Sequence, residues 1–230
     1  MSTNGADPAS ARRRQFMVRL AAAGALGAGG ISGFLSRALA KGDLPAIPGV
    51  NQLKGTATVN GRPAVVGTPV SARDKVATGP GSMAVIVIKD DAFLLRENTT
   101  IEYAESGGVL SRMLIGTGRV LSVFGKKPLA IKAASATIGI RGTGAYLEVG
   151  PDRVYFCLCY GEAELEGPGM AGPKIIRTTH HESPLVISEH GGIMAAQPAK
   201  VMNHTDDELI LLESLVGREP PFGTSPTNRY

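Results

Sequence analysis

From residue 55 onward the apolar positions come in short runs broken by turn residues. Thr56–Val59 ends on Asn60-Gly61, a hairpin-type turn. Ser82–Ile88 is a continuous apolar run stopped by Lys89-Asp90-Asp91, and Ala92–Arg96 and Thr100–Tyr103 follow. Met113–Phe124 carries two glycines, which predicts a bend or bulge in a strand rather than a helix. Leu129–Lys132, Ala136–Ile140, Ala145–Val149 and Arg153–Tyr160 continue the series. About ten runs at a spacing of roughly 8–12 residues predict an all-β fold: a sandwich, a roll or a short solenoid. One segment breaks the pattern. Thr205 precedes Asp206, Asp207 and Glu208, then Leu209–Leu212, and Gly217 closes the stretch. An N-cap threonine, a glutamate three residues on, acids in the first turn and a glycine stop predict a single α-helix over 205–216.

Gly (30) and Pro (15) are abundant while aromatics are only 5% and Trp is absent, so the chain turns too often for a helical bundle. The formal charge of +4 sits wholly in residues 1–40, where Arg12, Arg13, Arg14, Arg19 and Arg37 face Asp7 alone. The rest is balanced. A neutral body argues against a nucleic-acid groove, which needs a basic stripe to displace phosphate counterions. The same first 40 residues run from a basic cluster through a soft apolar stretch, Leu20–Leu35, to Ala38-Leu39-Ala40, the order of a secretory signal. Arg13-Arg14-x-Phe16-Met17 resembles the twin-arginine motif, whose route moves folded cargo. Cleavage after Ala40 would leave Lys41–Tyr230 in the bacterial periplasm with no membrane span. A retained signal anchor is the alternative, although the apolar stretch is shorter than the roughly 20 residues that cross a bilayer. The expected organisation is a leader (1–40), a Pro/Gly linker (41–53), a β domain (54–166), a Cys/His-associated extension carrying the helix (167–216) and a tail (217–230), which Phe222 could hold down.

The order Asn60-Gly61, Gly67, Val70, Asp74-x-Val76-x-Thr78-Gly79, Ser82, an apolar strand to Asp90-Asp91, Gly116-x-Gly118-Arg119-Val120 and Ala136–Gly144 resembles the FecR domain. That domain is the extracytoplasmic β module of ferric-citrate-type signalling proteins. The resemblance covers most of 54–166 and implies a β-rich binding or interaction module outside the cytoplasm, with an envelope protein or cell-envelope component as partner. Signalling members also carry a cytoplasmic sigma-factor-handling segment and a transmembrane helix. Here 19 residues precede the apolar stretch, too few for a folded cytoplasmic domain, so the sigma-regulating role is not expected to transfer. Ile138–Gly144 lacks the G-K-[ST] ending of a phosphate loop.

The body's soft ligands lie in the last third: Cys157, Cys159, His180, His181, His190 and His204. Cys157-x-Cys159 falls inside an apparent strand, where residues i and i+2 share a face. Two thiolates with imidazole suit Zn²⁺ or copper. Two other readings stand beside the metal site. A disulfide would have to span about 6.6 Å between Cα atoms, near the ~6.8 Å limit. Two buried free thiols would pack as small apolar groups. Cys157, Cys159 and His181 or His180 are the first ligand candidates, then His204, with His190 last. Adjacent His180 and His181 would point to opposite faces on a strand but could both reach the cysteines from a turn.

No G-x-S-x-G elbow, H-E-x-x-H pair or nucleotide loop occurs, so a non-enzymatic binding module is the leading expectation. A metal-dependent or redox enzyme using the Cys/His centre, and a disulfide-stapled scaffold without ligand, are the alternatives.

Overall fold

The computed structural model describes residues 48–223. The leader and its cleavage site lie outside the described residues. Fifteen strands follow in chain order: β1 (Gly49–Lys54), β2 (Ala57–Val59), β3 (Arg62–Pro63), β4 (Lys75–Thr78), β5 (Met83–Ile88), β6 (Asp91–Leu95), β7 (Thr100–Ser106), β8 (Val109–Val123), β9 (Pro128–Ala133), β10 (Ala136–Arg141), β11 (Gly144–Val149), β12 (Arg153–Glu166), β13 (Lys174–Thr178), β14 (Leu185–His190) and β15 (Ile193–Pro198). One helix, α1 (Asp206–Leu215), ends the series among the described residues. The all-β expectation with a single late helix is met.

The strands form two layers that share two long members. The first layer runs β1-β5-β6-β8-β11-β12-β14-β15. The second runs β3-β2-β4-β7-β8-β9-β10-β12-β13. All pairings are antiparallel except β8 with β9. Up to Thr117, β8 pairs in the second layer; from Gly118 it pairs in the first. β12 makes the opposite crossing at Gly161. The circuit β8-β9-β10-β12-β11 and back to β8 is therefore closed, like a small barrel. Gly118 (φ 97°) and Gly161 (φ 98°) are the corners. A Cβ on Gly118 would lie 2.4 Å from Thr99 Cα, and one on Gly161 would lie 2.7 Å from Thr143 Cγ2, so both positive φ and close approach demand glycine. The bend expected in Met113–Phe124 is the first of these corners.

Inner side chains of both layers make one core. Phe93 of β6 meets Tyr103 of β7 at 5.1 Å between ring centroids, and Phe124 at 5.8 Å. The outer face of the first layer is also buried, which is why β5, β6 and the first half of β12 read as unbroken apolar runs. In register across that face lie Val85, Leu94, Leu121, Tyr146 and Cys157. The helix α1 packs on β6 and β8 and buries Leu209, Ile210, Leu211 and Leu212.

The helix begins as its sequence dictates. Thr205 is extended (φ −132°, ψ 159°), its hydroxyl accepts from the Glu208 amide, and the Glu208 carboxylate accepts from the Thr205 amide. Buried Glu208 also receives Arg96 Nη2 at 3.1 Å, and the same nitrogen donates to Asn203 O at 2.6 Å. Gly217 follows the C-cap Val216 at φ 77°.

Two boundaries need correction. The stretch 41–53 is not linker throughout: β1 begins at Gly49 and pairs with β5 along the sheet edge, where Asn51 and Gln52 stay only half-buried. Nor does the fold break after Glu166, because β13 pairs directly with β12, while β14 and β15 extend the first layer. Several residues of the motif order read from the sequence lock turns. Asp74 accepts from Asn60 Nδ2 and from the Ser71 amide, both at 2.6 Å, and the Ser82 hydroxyl accepts from the Thr56 amide at 2.9 Å. Among the described residues no helix is long and apolar enough to cross a membrane.

Candidate metal centre

Along β12 the even positions Val154, Phe156 and Leu158 enter the sandwich core. The odd positions therefore point outwards, toward the helix side. The pairing with β11 is irregular: Gly144 faces Tyr160 and Ala145 faces Leu158, which leaves Cys159 as the extra residue of a β-bulge. The carbonyl of Cys159 is taken by a group off the strand, the His181 amide, at 3.0 Å. That bond anchors the β13–β14 loop to the cysteine strand. His181 there adopts φ 60°, a left-handed conformation unusual for a non-glycine residue and characteristic of functional sites. The third contributor is the segment that enters α1, which brings His204 and, as the first residue of the helix, Asp206.

One ligand atom from each of Cys157, Cys159, His181 and His204 lies within 4.8 Å of all the others. His181 Nδ1 is 3.5 Å from Cys157 Sγ and 3.2 Å from His204 Nε2, and His204 Nε2 is 3.5 Å from Cys159 Sγ. A tetrahedral Zn²⁺ with ordinary bond lengths would separate two nitrogens by about 3.4 Å, and a nitrogen and a sulfur by about 3.6 Å. Three of the six donor separations thus match a tetrahedral site, and the other three are no longer than 4.8 Å. Outer partners aim both imidazoles. His204 Nδ1 donates to Met202 O at 2.8 Å, which turns the Nε2 lone pair inward, and the ring stacks on Tyr146 at 4.5 Å. His181 Nε2 donates to Asp206 Oδ1 at 3.0 Å, which turns the Nδ1 lone pair inward. Carbonyl and carboxylate partners of this kind orient metal-bound histidines and strengthen them as donors.

The electrostatics favour a cation. Hydrogen bonding from Cys159, then from His181 and His204, holds the Cys157 thiol down to about 4 despite its burial. Burial, then the neighbouring Cys157, pushes Cys159 well above the ordinary thiol range. Burial alone would lower His181, but Asp206 and Cys157 outweigh it and raise the imidazole to about 9. Both cysteines are free and 0% exposed, and His181 and His204 are each 4% exposed. The disulfide reading is therefore not what the structure shows.

Of the remaining histidines, His180 adjoins the centre, 5.0 Å from His181 between ring centroids, and forms a second donor group with His181 and Asp206, whereas His190 does not belong to either group. His180, on the same turn as His181, is half-buried; its Nε2 reaches Asp206 at 2.9 Å and its ring stacks on Phe222 at 4.3 Å, so Phe222 does hold the tail at this point. His190 is exposed at the end of β14, opposite Ile193. The sequence singled out neither Asp206 nor Tyr146. Asp206 reads as an ordinary first-turn acid, and only its 0% exposure marks it as more. A shallow cleft elsewhere, lined by Lys132, Thr137, Glu166 and Met170 among others, contains no cysteine or histidine.

No family model matches the chain, and no curated protein matches it. Among solved structures, two crystal structures of a "putative anti-sigma factor" from Parabacteroides distasonis ATCC 8503, at 1.65 and 2.50 Å resolution, match part of this chain. They share 11% and 12% identity with this chain at a TM-score of 0.44. The matched region covers 55% of this chain and 60% of the length of each of those chains.

Proposed function

We propose that this chain is an exported FecR-like β module that acts by binding an envelope protein or envelope component, and that Cys157, Cys159, His181 and His204 hold one structural Zn²⁺ ion. The observation that carries the metal reading is the convergence of four buried soft donors, each imidazole already aimed by an outer partner. Two thiolates and two imidazoles in a closed tetrahedral set suit Zn²⁺, and a closed set leaves no position for substrate, so the ion serves the fold. The motif order shared with FecR domains supports the interaction role, and the signal-like leader supports a periplasmic setting.

The line Cys157–His181–Asp206 also has the form of a nucleophile, a base and an orienting acid, which favours an enzyme as second reading. Burial weighs against it, since a nucleophile with no exposure meets no substrate.

Metal analysis of the full chain, purified after cytoplasmic expression, tests the proposal. About one zinc per chain is expected, lost in Cys157→Ser and Cys159→Ser. Absence of a stoichiometric ion, or a native mass two hydrogens short without reductant, would overturn it. Rapid alkylation of Cys157 in the loaded protein would favour the enzyme reading instead.

A further inference from the structure

The four donors come from three separate segments: the strand β12, the β13–β14 loop, and the stretch that leads into α1. The first two are fixed by sheet ladders and by the bond from the His181 amide to Cys159 O. The third has no sheet ladder and is held by side-chain contacts: Arg96 to Glu208 and Asn203 O, Asn203 to Glu148, Tyr155 Oη to Lys200 O, Tyr160 to Glu213, Arg218 to Asp90 O, and the buried Leu209–Leu212. His204 stands directly before the N-cap, so whatever fixes its ring fixes the start of the helix.

We infer that ion occupancy decides whether the C-terminal segment, from about residue 199 to 218, covers the outer face of the first layer. This rests on the closed-centre reading above. With the ion in place, His204 is tied to Cys157, Cys159 and His181, and α1 packs on β6 and β8, whose Leu94 and Leu121 stand in a row that ends in register at Cys157 itself. With the ion removed, five desolvated polar side chains, Asp206 included, are left packed against one another, with His181 Nδ1 3.2 Å from His204 Nε2 and each imidazole 3.5 Å from a sulfur. The ladders hold β12 and the loop, so withdrawal of the segment that carries His204 returns these groups to water. A ten-residue helix does not persist alone in water, so withdrawal melts α1 and bares the apolar row. The ion acts as a clasp on a removable cover, while the core shared by the two layers stays closed.

Hydrogen exchange read by mass spectrometry on the full chain, zinc-loaded and after chelation, with metal content measured on the same samples, tests this. Protection of amides in 206–218 should fall by at least roughly 100-fold on ion loss, the factor set by a ligand at a hundred times its dissociation constant, while β8, β9 and β10 keep theirs. An ion that leaves without change in the helix amides would overturn the clasp and leave the metal site standing. Collapse of protection everywhere at once would also overturn it, since the ion would then hold the whole fold. A chain that never binds zinc removes both readings. Linkage supplies a second arm with every ligand intact: Leu212→Ala, which weakens only the docking of α1, should lower zinc affinity about tenfold or more, and an unchanged affinity would overturn the clasp.

Discussion

Three polar groups of His181 have separate tasks: its amide holds the bulged strand, its Nε2 holds Asp206 and its Nδ1 faces Cys157 Sγ and His204. Its raised value of about 9 has a consequence for metal uptake. Near neutral pH the ion-free centre keeps a proton on His181 and another on Cys159, whereas Cys157, held at about 4, has already lost its own. A cation must displace both protons, so acid opposes binding and alkali favours it. Calorimetry in buffers of different ionisation enthalpy should count about two protons released per zinc, with affinity rising about 100-fold per pH unit between about pH 7 and about 9. A count of one or none would show that the donors are not protonated as described. The pairing of Cys157 with Cys159 was legible because a strand repeats every two residues, although the bulge at Cys159 was not. The role of Asp206 was hidden for a physical reason: it depends on a helix docking beside a loop 25 residues away in sequence, which no local pattern encodes.

At the scale of elements, the corners of β8 and β12 let two strands serve two layers. Replacing Gly118 by alanine puts a Cβ against the Thr99 backbone at a positive φ, and should destabilise the fold by about 2 kcal/mol or more in chemical denaturation. Gly81, also at positive φ but with nothing near its missing Cβ, is the matched control and should lose less. Equal losses at the two sites would show that the corner is not specially constrained. The glycine pair in Met113–Phe124 signalled this bend in advance, and the capping signals placed α1 to within a residue at either end. Short elements escaped because they carry little pattern: β3 is two residues long, and β1 mixes polar residues into an edge strand. The partition at Glu166 failed because the turn residues that follow β12 mark a change of direction, not the end of a sheet.

For the molecule as a whole, the concentration of all net charge before residue 41 suits a leader that is removed from a neutral body. Replacing Arg13 and Arg14 together by lysine should keep the full-length chain in the cytoplasm, whereas the unaltered chain should be recovered from the periplasm beginning at Lys41. Equal export of both, read by fractionation and N-terminal sequencing, would remove the twin-arginine reading. The closed circuit of β8, β9, β10, β12 and β11 has a mechanical corollary. Tension entering at residue 48 meets β1 first, a strand whose ladder partner among the described residues is β5. Load then passes along the chain through β2 to β7, none of them a member of the circuit, before it reaches β8, so a copy held from that side would lengthen in stages before the circuit bears the load.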